Sequence, residues 1–271
     1  MMIIEKDIFE KIVSAATNSD TQVYDMVQPH FAWTEQQLNV ELIGDEFLDN
    51  LEFIPGFTAV VMRLICLRTF AEQIPHLDLV LTPTGFGVVS NQNVAPASAD
   101  RVKALRKQVE HAYQDTYDRA LEMLVGTPWA DSTQARCNIV NMIYTAKQFR
   151  RYVDKPNAHR QDLEAAHAQI YVAEEKVREH ISSEFFDFLL EKVRKNDMTK
   201  QESGIISMIC KFTGLCVMKE YTAAKSLLAR IENYAEDNLS AFPNYENSKA
   251  YKAKHFKGYE NQAGDSTFFF G

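Results

Sequence analysis

The sequence predicts a mainly α fold: a multi-helix bundle with one inserted β-hairpin and an extended C-terminal arm. Three observations carry that prediction. Prolines fall at 29, 55, 75, 83, 96, 128, 156 and 243, mostly where a helix should start or stop, and none occurs between Asn157 and Phe242. Between them apolar residues recur every three or four positions. One short stretch alternates instead, which marks strands.

Taken in order, the helices are expected at Lys6–Ala16, Thr21–Gln28, Phe31–Ile43, Gly44–Phe53, Phe57–Gln73 and Ser98–Val125. The last comes after Pro96-Ala97, with Ser98 as N-cap and Asp100 in its first turn. Further helices are expected at Ser132–Val153, Arg160–Ile181, Ser183–Lys195, Thr199–Lys219 and Thr222–Leu239. Within Arg160–Ile181, Leu163, Ala166, Ile170, Ala173, Val177 and Ile181 make one apolar stripe. The hairpin falls at about 77–90. Leu77–Leu81 alternates, Thr82-Pro83-Thr84-Gly85 is turn chemistry, and Phe86–Ser90 is a second short strand. A lone hairpin is marginal in water and needs cover or a further strand.

The domain reading is a helical half at 1–127 containing the hairpin, a second helical half at 128–243, and an arm at 244–271. Gly56-Phe57 and Gly204-Ile205 each open an apolar helix, which suggests a weak duplication within one body.

The arm, Asn244 to Gly271, holds Tyr245, Tyr251, Phe256, Tyr259, Phe268, Phe269 and Phe270, with Lys249, Lys252, Lys254 and Lys257 against Glu246, Glu260 and Asp265. Its charge is about +1, so the chain's −8 leaves about −9 for the body. It has no helical or strand period. Apolar side chains left in water favour association, so the arm reads as an anchor. It either folds back on its own domain or docks on a neighbouring subunit with an acidic, partly apolar surface. The expectation is that the arm serves docking and not folding, so that a chain ending at Pro243 keeps its stability.

Composition bounds the function. At 46% hydrophobic and 24% charged, the chain is ordinary for a soluble globular protein. No apolar run reaches the ~18–20 residues of a membrane span, and MMIIEKDIFEK has no basic n-region of a signal peptide. Cys66, Cys137, Cys210 and Cys216 form no CxxC pair and suit a reducing cytoplasm. A net charge of −8 argues against wrapping nucleic acid, though not against a surface past which it slides.

The search for chemistry yields no catalytic, cofactor-binding or metal-ligating residues, and the chain reads as a non-enzyme without cofactor. Gly85-Phe86-Gly87 lacks the third glycine of a phosphate loop and runs into a strand. His76 with Asp78 would need two more ligands. His111 and Asp115, four apart on one helix, read as a solvated pair. Glu164-x-x-His167 has no second copy, which a di-metal bundle requires. The candidate residues are therefore partner-binding ones: Phe86, Val88 and Val89 of the hairpin, Arg150 and Arg151, and Phe256, Tyr259, Phe268, Phe269 and Phe270 of the arm.

The run LDLVLTPTGFGVVSNQNVAPASADRVKALRKQV, Leu77 to Val109, resembles a segment of an uncharacterised family in Bacteroidetes phages and prophages. There a short hairpin with a Gly-Phe-Gly-Val core leads into Pro-Ala-Ser and a long helix. The final Phe-Phe-Phe-Gly is similar to virion proteins of that group. The family looks like head–tail connector or adaptor proteins, which form rings between portal and tail. The resemblance implies a structural virion subunit, assembled in the host cytoplasm. Its partners would be its own copies in a ring, portal and tail proteins, and DNA passing through the lumen, with no membrane. The alternatives are a helical cytoplasmic binding or regulatory protein and, behind it, an all-α enzyme with an unrecognised site.

Overall fold

A computed structural model of the chain describes residues 2–13, 22–48, 54–77, 79–82, 85–88 and 98–256. These residues are mainly α-helical. They divide into two compact units, one of residues 1–166 with 194–196, the other of 167–193 with 197–271. The division thus falls near residue 166 and not at 127, because α-helices on either side of Pro128 share one core.

In the first unit, α1 (Lys6–Ile12) lays Phe9 against Tyr24 of α2 (Gln22–Val27), Phe31 of α3 (Phe31–Leu38) and Phe70 of α5 (Phe57–Gln73). The ring centroids lie 5.8–6.1 Å apart, the spacing of edge and tilted aromatic pairs. Helix α3 continues into a π-turn at Asn39–Ile43, ends at Gly44 (φ 89°), and is followed by α4 (Asp45–Leu48). A Cβ at Gly44 would lie 2.9 Å from Gln134 Oε1, the end of a flexible side chain that can move aside, so it is the positive φ that calls for glycine there. Trp129, fully buried, donates its indole N–H to the Leu42 carbonyl at 2.8 Å and so satisfies a carbonyl of the π-turn. Between α5 and α6 the strands β1 (Leu79–Thr82) and β2 (Gly85–Val88) pair antiparallel, Leu79 opposite Val88.

Helix α6 (Ala99–Leu124) starts where the sequence places it, with the Ser98 hydroxyl accepting from Arg101 N–H at 3.4 Å. The expected helix Ser132–Val153 is instead two: α7 (Thr133–Asn138) and α8 (Ala146–Val153). A local cap and long-range hydrogen bonds together explain the break. Thr145 and Gln148 form a capping box, the Thr145 hydroxyl accepting from Gln148 N–H at 3.3 Å and Gln148 Oε1 from Thr145 N–H at 3.2 Å. Arg194 takes the Ile139 carbonyl at 2.9–3.0 Å. The intervening Ile139, Met142 and Ile143 are buried, so their apolar character mimics a helical period while serving a packed loop. The expected helix Arg160–Ile181 also divides, into α9 (Arg160–Ala165) and α10 (His167–His180), at Ala166 (φ −89°, ψ −4°). All six residues of its predicted stripe are buried.

In the second unit, α10 is followed by α11 (Ser183–Lys195), α12 (Lys200–Val217) and α13 (Tyr221–Asp237). Thr199 and Glu202 form the capping box of α12. Ile205, Ile209 and Phe212 of α12 and Leu227, Ile231 and Ala235 of α13 are all buried.

The arm needs correction over Asn244–Phe256. Two short helices, α14 (Pro243–Glu246) and α15 (Lys249–Lys254), occupy that stretch. Pro243 supplies the fixed φ of a first helical residue, and the Ser248 hydroxyl caps α15 by accepting from Tyr251 N–H at 3.2 Å. Tyr245 is 1% exposed, with its ring 5.4 Å from Phe185 and 5.2 Å from Tyr251. Lys254 does not seek an outside acidic surface. It binds Glu232 and Glu236 of its own unit, which hold its pKa above the ordinary lysine value. Each helix is too short to show a period, so in sequence the stretch looks like an extended arm.

Tyr245→Ala is therefore expected to cost about 3–5 kcal/mol, as for other large buried rings. Thermal melts of chains ending after Pro243 and after Phe256 would check the boundary. The shorter should melt well below the full chain, and the longer within a few degrees of it.

Candidate assembly surface

The described part of the chain offers charged clefts in the first unit and an apolar hollow in the second. In the first unit Asp118 of α6 lies 11% exposed. Its carboxylate accepts the backbone N–H of Ala146, the first residue of α8, at 2.6 Å, and the Arg160 guanidinium at 2.5 Å. Burial pushes the Asp118 pKa up, against the lowering pull of Arg160 and of the Ala146 N–H. The Arg160 guanidinium sits 4.5 Å from the Tyr117 ring centroid, and the Tyr117 hydroxyl donates to Asn138 Oδ1 at 2.5 Å. Asn138 in turn donates to the Glu41 carbonyl, while the Glu41 carboxylate takes both Arg68 N–H groups at 2.7 and 3.2 Å. Hollows of about 280 and 370 Å³ open above this network, lined in part by Tyr113, Glu110 and Glu41. The arginines there face carboxylates of their own chain. The arrangement holds elements together and presents no convergent acid, base and nucleophile.

His111 and His159 stack with centroids 3.7 Å apart and planes at 17°. The solvated pair with Asp115 that the spacing suggests is replaced by this stack, in which His111 meets the histidine that precedes α9. His111 Nε2 and His159 Nδ1 are both buried without a hydrogen-bond partner. Burial lowers the His111 pKa, with His159 and Lys107 adding to the effect and Asp115 and Glu110 opposing it. Among the described residues no group of three or more His, Cys, Asp and Glu could hold a metal ion. Burial pushes the Cys66 thiol up to about 12 and raises the Cys216 thiol, which leaves both as poor nucleophiles at neutral pH.

The sequence-selected partner residues fare unequally. Arg150 donates to the Ala158 carbonyl at 2.8 Å and so closes the loop after α8, a structural task. Arg151 is exposed, its guanidinium 5.5 Å from the Tyr152 ring centroid. Phe256 is 79% exposed. The backbones of Phe86 and Val88 lie in β2; their side chains, with Val89, Tyr259, Phe268, Phe269 and Phe270, fall outside the described residues. Sequence reasoning missed the second unit's apolar surface. Tyr171 and Val172 of α10 are each 54% exposed, and Tyr221, at the start of α13, 59%. Val172, Ala173 and Tyr221 line a hollow of about 380 Å³ with Lys176, Cys216 and Lys219. The Lys176 ammonium lies 5.9 Å from the Tyr221 ring centroid. A signal is present in the sequence: Tyr171 and Val172 lie off the buried stripe of α10, on a face that should be polar.

Comparison with known families decides one point. Residues 22–139 and 218–255, more than half of the chain, match a family of unknown function, DUF6712. The chain belongs to that family. The first matched stretch runs from α2 to α7 and the second covers α13 to α15. No curated protein and no solved structure matches it. Among the described residues no helix of this DUF6712 member is long and apolar enough to cross a membrane.

The buried Asp118–Arg160 pair and the histidine stack can each be tested. Arg160→Ala leaves the Asp118 carboxylate buried and unpaired and should destabilise by about 3–5 kcal/mol. Adding Asp118→Asn to that variant should recover part of the loss, as read by denaturant titration. Because folding lowers the His111 pKa, the folded state resists protonation there. Stability is full above the unfolded value of about 6.5 and falls as the pH drops below it. Melting temperatures between pH 7.5 and 5.5 should therefore decline, with a shallower slope in His111→Phe, which keeps a ring in the stack.

Proposed function

We propose that this chain is a structural subunit of a phage virion, a head–tail connector or adaptor that assembles with its own copies into a ring between portal and tail. The observation that carries the reading is the set of exposed aromatic and apolar side chains on the second helical unit, Val172 and Tyr221 at one hollow, with Tyr171 and Phe256. Surface of this kind marks contact with other protein. The reading also draws on the resemblance of Leu77–Val109 to an uncharacterised phage and prophage family and of Phe268–Gly271 to virion proteins of that group. The hairpin supports it too. Its sheet consists of β1 and β2 alone among the described residues, so each strand keeps an unpaired edge to which a neighbour's strand could add. A subunit that offers one surface and accepts with another builds closed rings by heterologous contact. A net charge of −8 would keep such a ring from gripping the DNA that passes through it.

The test is assembly. Light scattering and electron microscopy of the purified chain, alone and mixed with the portal protein encoded nearest to it, should reveal closed rings. Portal, terminase and capsid genes should flank its own. A chain that stays monomeric with the portal protein present and lies among metabolic genes is a cytoplasmic binding or regulatory protein instead.

A further inference from the structure

Lys249–Lys254 form a helix on their own unit, which leaves Phe256 and the residues after it as the part of the C-terminal segment open to docking. The stretch after Phe256, residues 257–271, has a different character from the arm as a whole. It carries Lys257 against Glu260 and Asp265, a net charge of −1, with four aromatic rings at Tyr259 and Phe268–Phe270. Its acceptor should therefore be apolar and basic, not acidic.

The hollow of about 380 Å³ in the second unit fits that description. Val172, Ala173 and Cys216 give it an apolar wall. Tyr221, 59% exposed, offers an aromatic face. Lys176 and Lys219 stand at the same hollow and supply positive charge. We infer that this hollow receives the Phe268–Phe270 cluster of a second copy of the chain, with Lys176 and Lys219 facing Asp265 and Glu260. Phenylalanine rings entering a desolvated pocket supply the binding, and the lysines set register and partner choice. The inference rests on the assembly reading only in needing two copies to meet.

Cys216 lines the hollow and is partly exposed, so it serves as a native probe. Cys66 and Cys210 are buried, and Cys137, which is exposed, is removed by Cys137→Ser. In that background the full chain bearing Phe269→Cys is oxidised at alkaline pH, where the raised Cys216 thiol ionises, and run on a non-reducing gel. The expected result is a covalent ladder of copies that disappears on reduction, on adding Cys216→Ser, and on adding Val172→Asp. Circular dichroism should show unchanged helix content in each variant. A ladder that survives Cys216→Ser, an internal link that leaves the chain a single copy, or no link at all would overturn the inference. Light scattering on the same samples keeps the two readings apart. Large assemblies without the Cys216 link would remove this hollow as the acceptor while leaving the ring in place.

Discussion

The first unit depends on the carboxylate of Asp118. One oxygen holds the backbone N–H that opens α8, and the other holds Arg160 at the start of α9. Through Arg160 the same contact reaches Tyr117, then Asn138 of α7, then the π-turn at Asn39–Ile43 and, through Glu41, Arg68 of α5. A charge held in that place is costly unless every lone pair is used. Once it is used, the geometry of its partners is fixed, because neither the N–H nor the guanidinium can move without stranding the charge.

Short helices in this chain are set by their ends more than by their interiors. Isolated helices under about twelve residues are marginal in water. Helix α8 exists because Thr145, Gln148 and Asp118 satisfy its first N–H groups. Helix α15 exists because Ser248 caps it and Lys254 ties it to Glu232 and Glu236 of α13. The same logic explains the π-turn. Trp129 supplies the donor for the Leu42 carbonyl, and Gly44 supplies the positive φ at which the segment ends. These contacts turn segments without intrinsic helical stability into fixed parts of a core.

The second unit shows a different balance. Its core is a run of apolar contacts, Phe185, Phe242 and Tyr245 among them, with centroids 5.2 and 5.4 Å apart. Its surface carries aromatics where solvent-facing helices normally carry charge. A core residue and an interface residue look alike in a sequence, since both are apolar. What separates Tyr221 from Tyr245 is that one is 59% and the other 1% exposed.

Read alone, the sequence determined the mainly α class, the places where long helices begin, and which faces they bury. The Ser98 cap and the stripe from Leu163 to Ile181 hold because local hydrogen bonding and apolar periodicity act over a few residues. Tertiary structure decided the rest. It broke Ser132–Val153, because an aspartate some 28 residues upstream competes for the helix's first N–H. It folded Asn244–Phe256 onto its own unit, because the burial of Tyr245 outweighs what four- and six-residue helices lack by themselves. It set Arg150 to holding a carbonyl and left Tyr171, Val172 and Tyr221 at the surface. Burial is a property of all the neighbours a residue acquires, and those neighbours are distant in the chain.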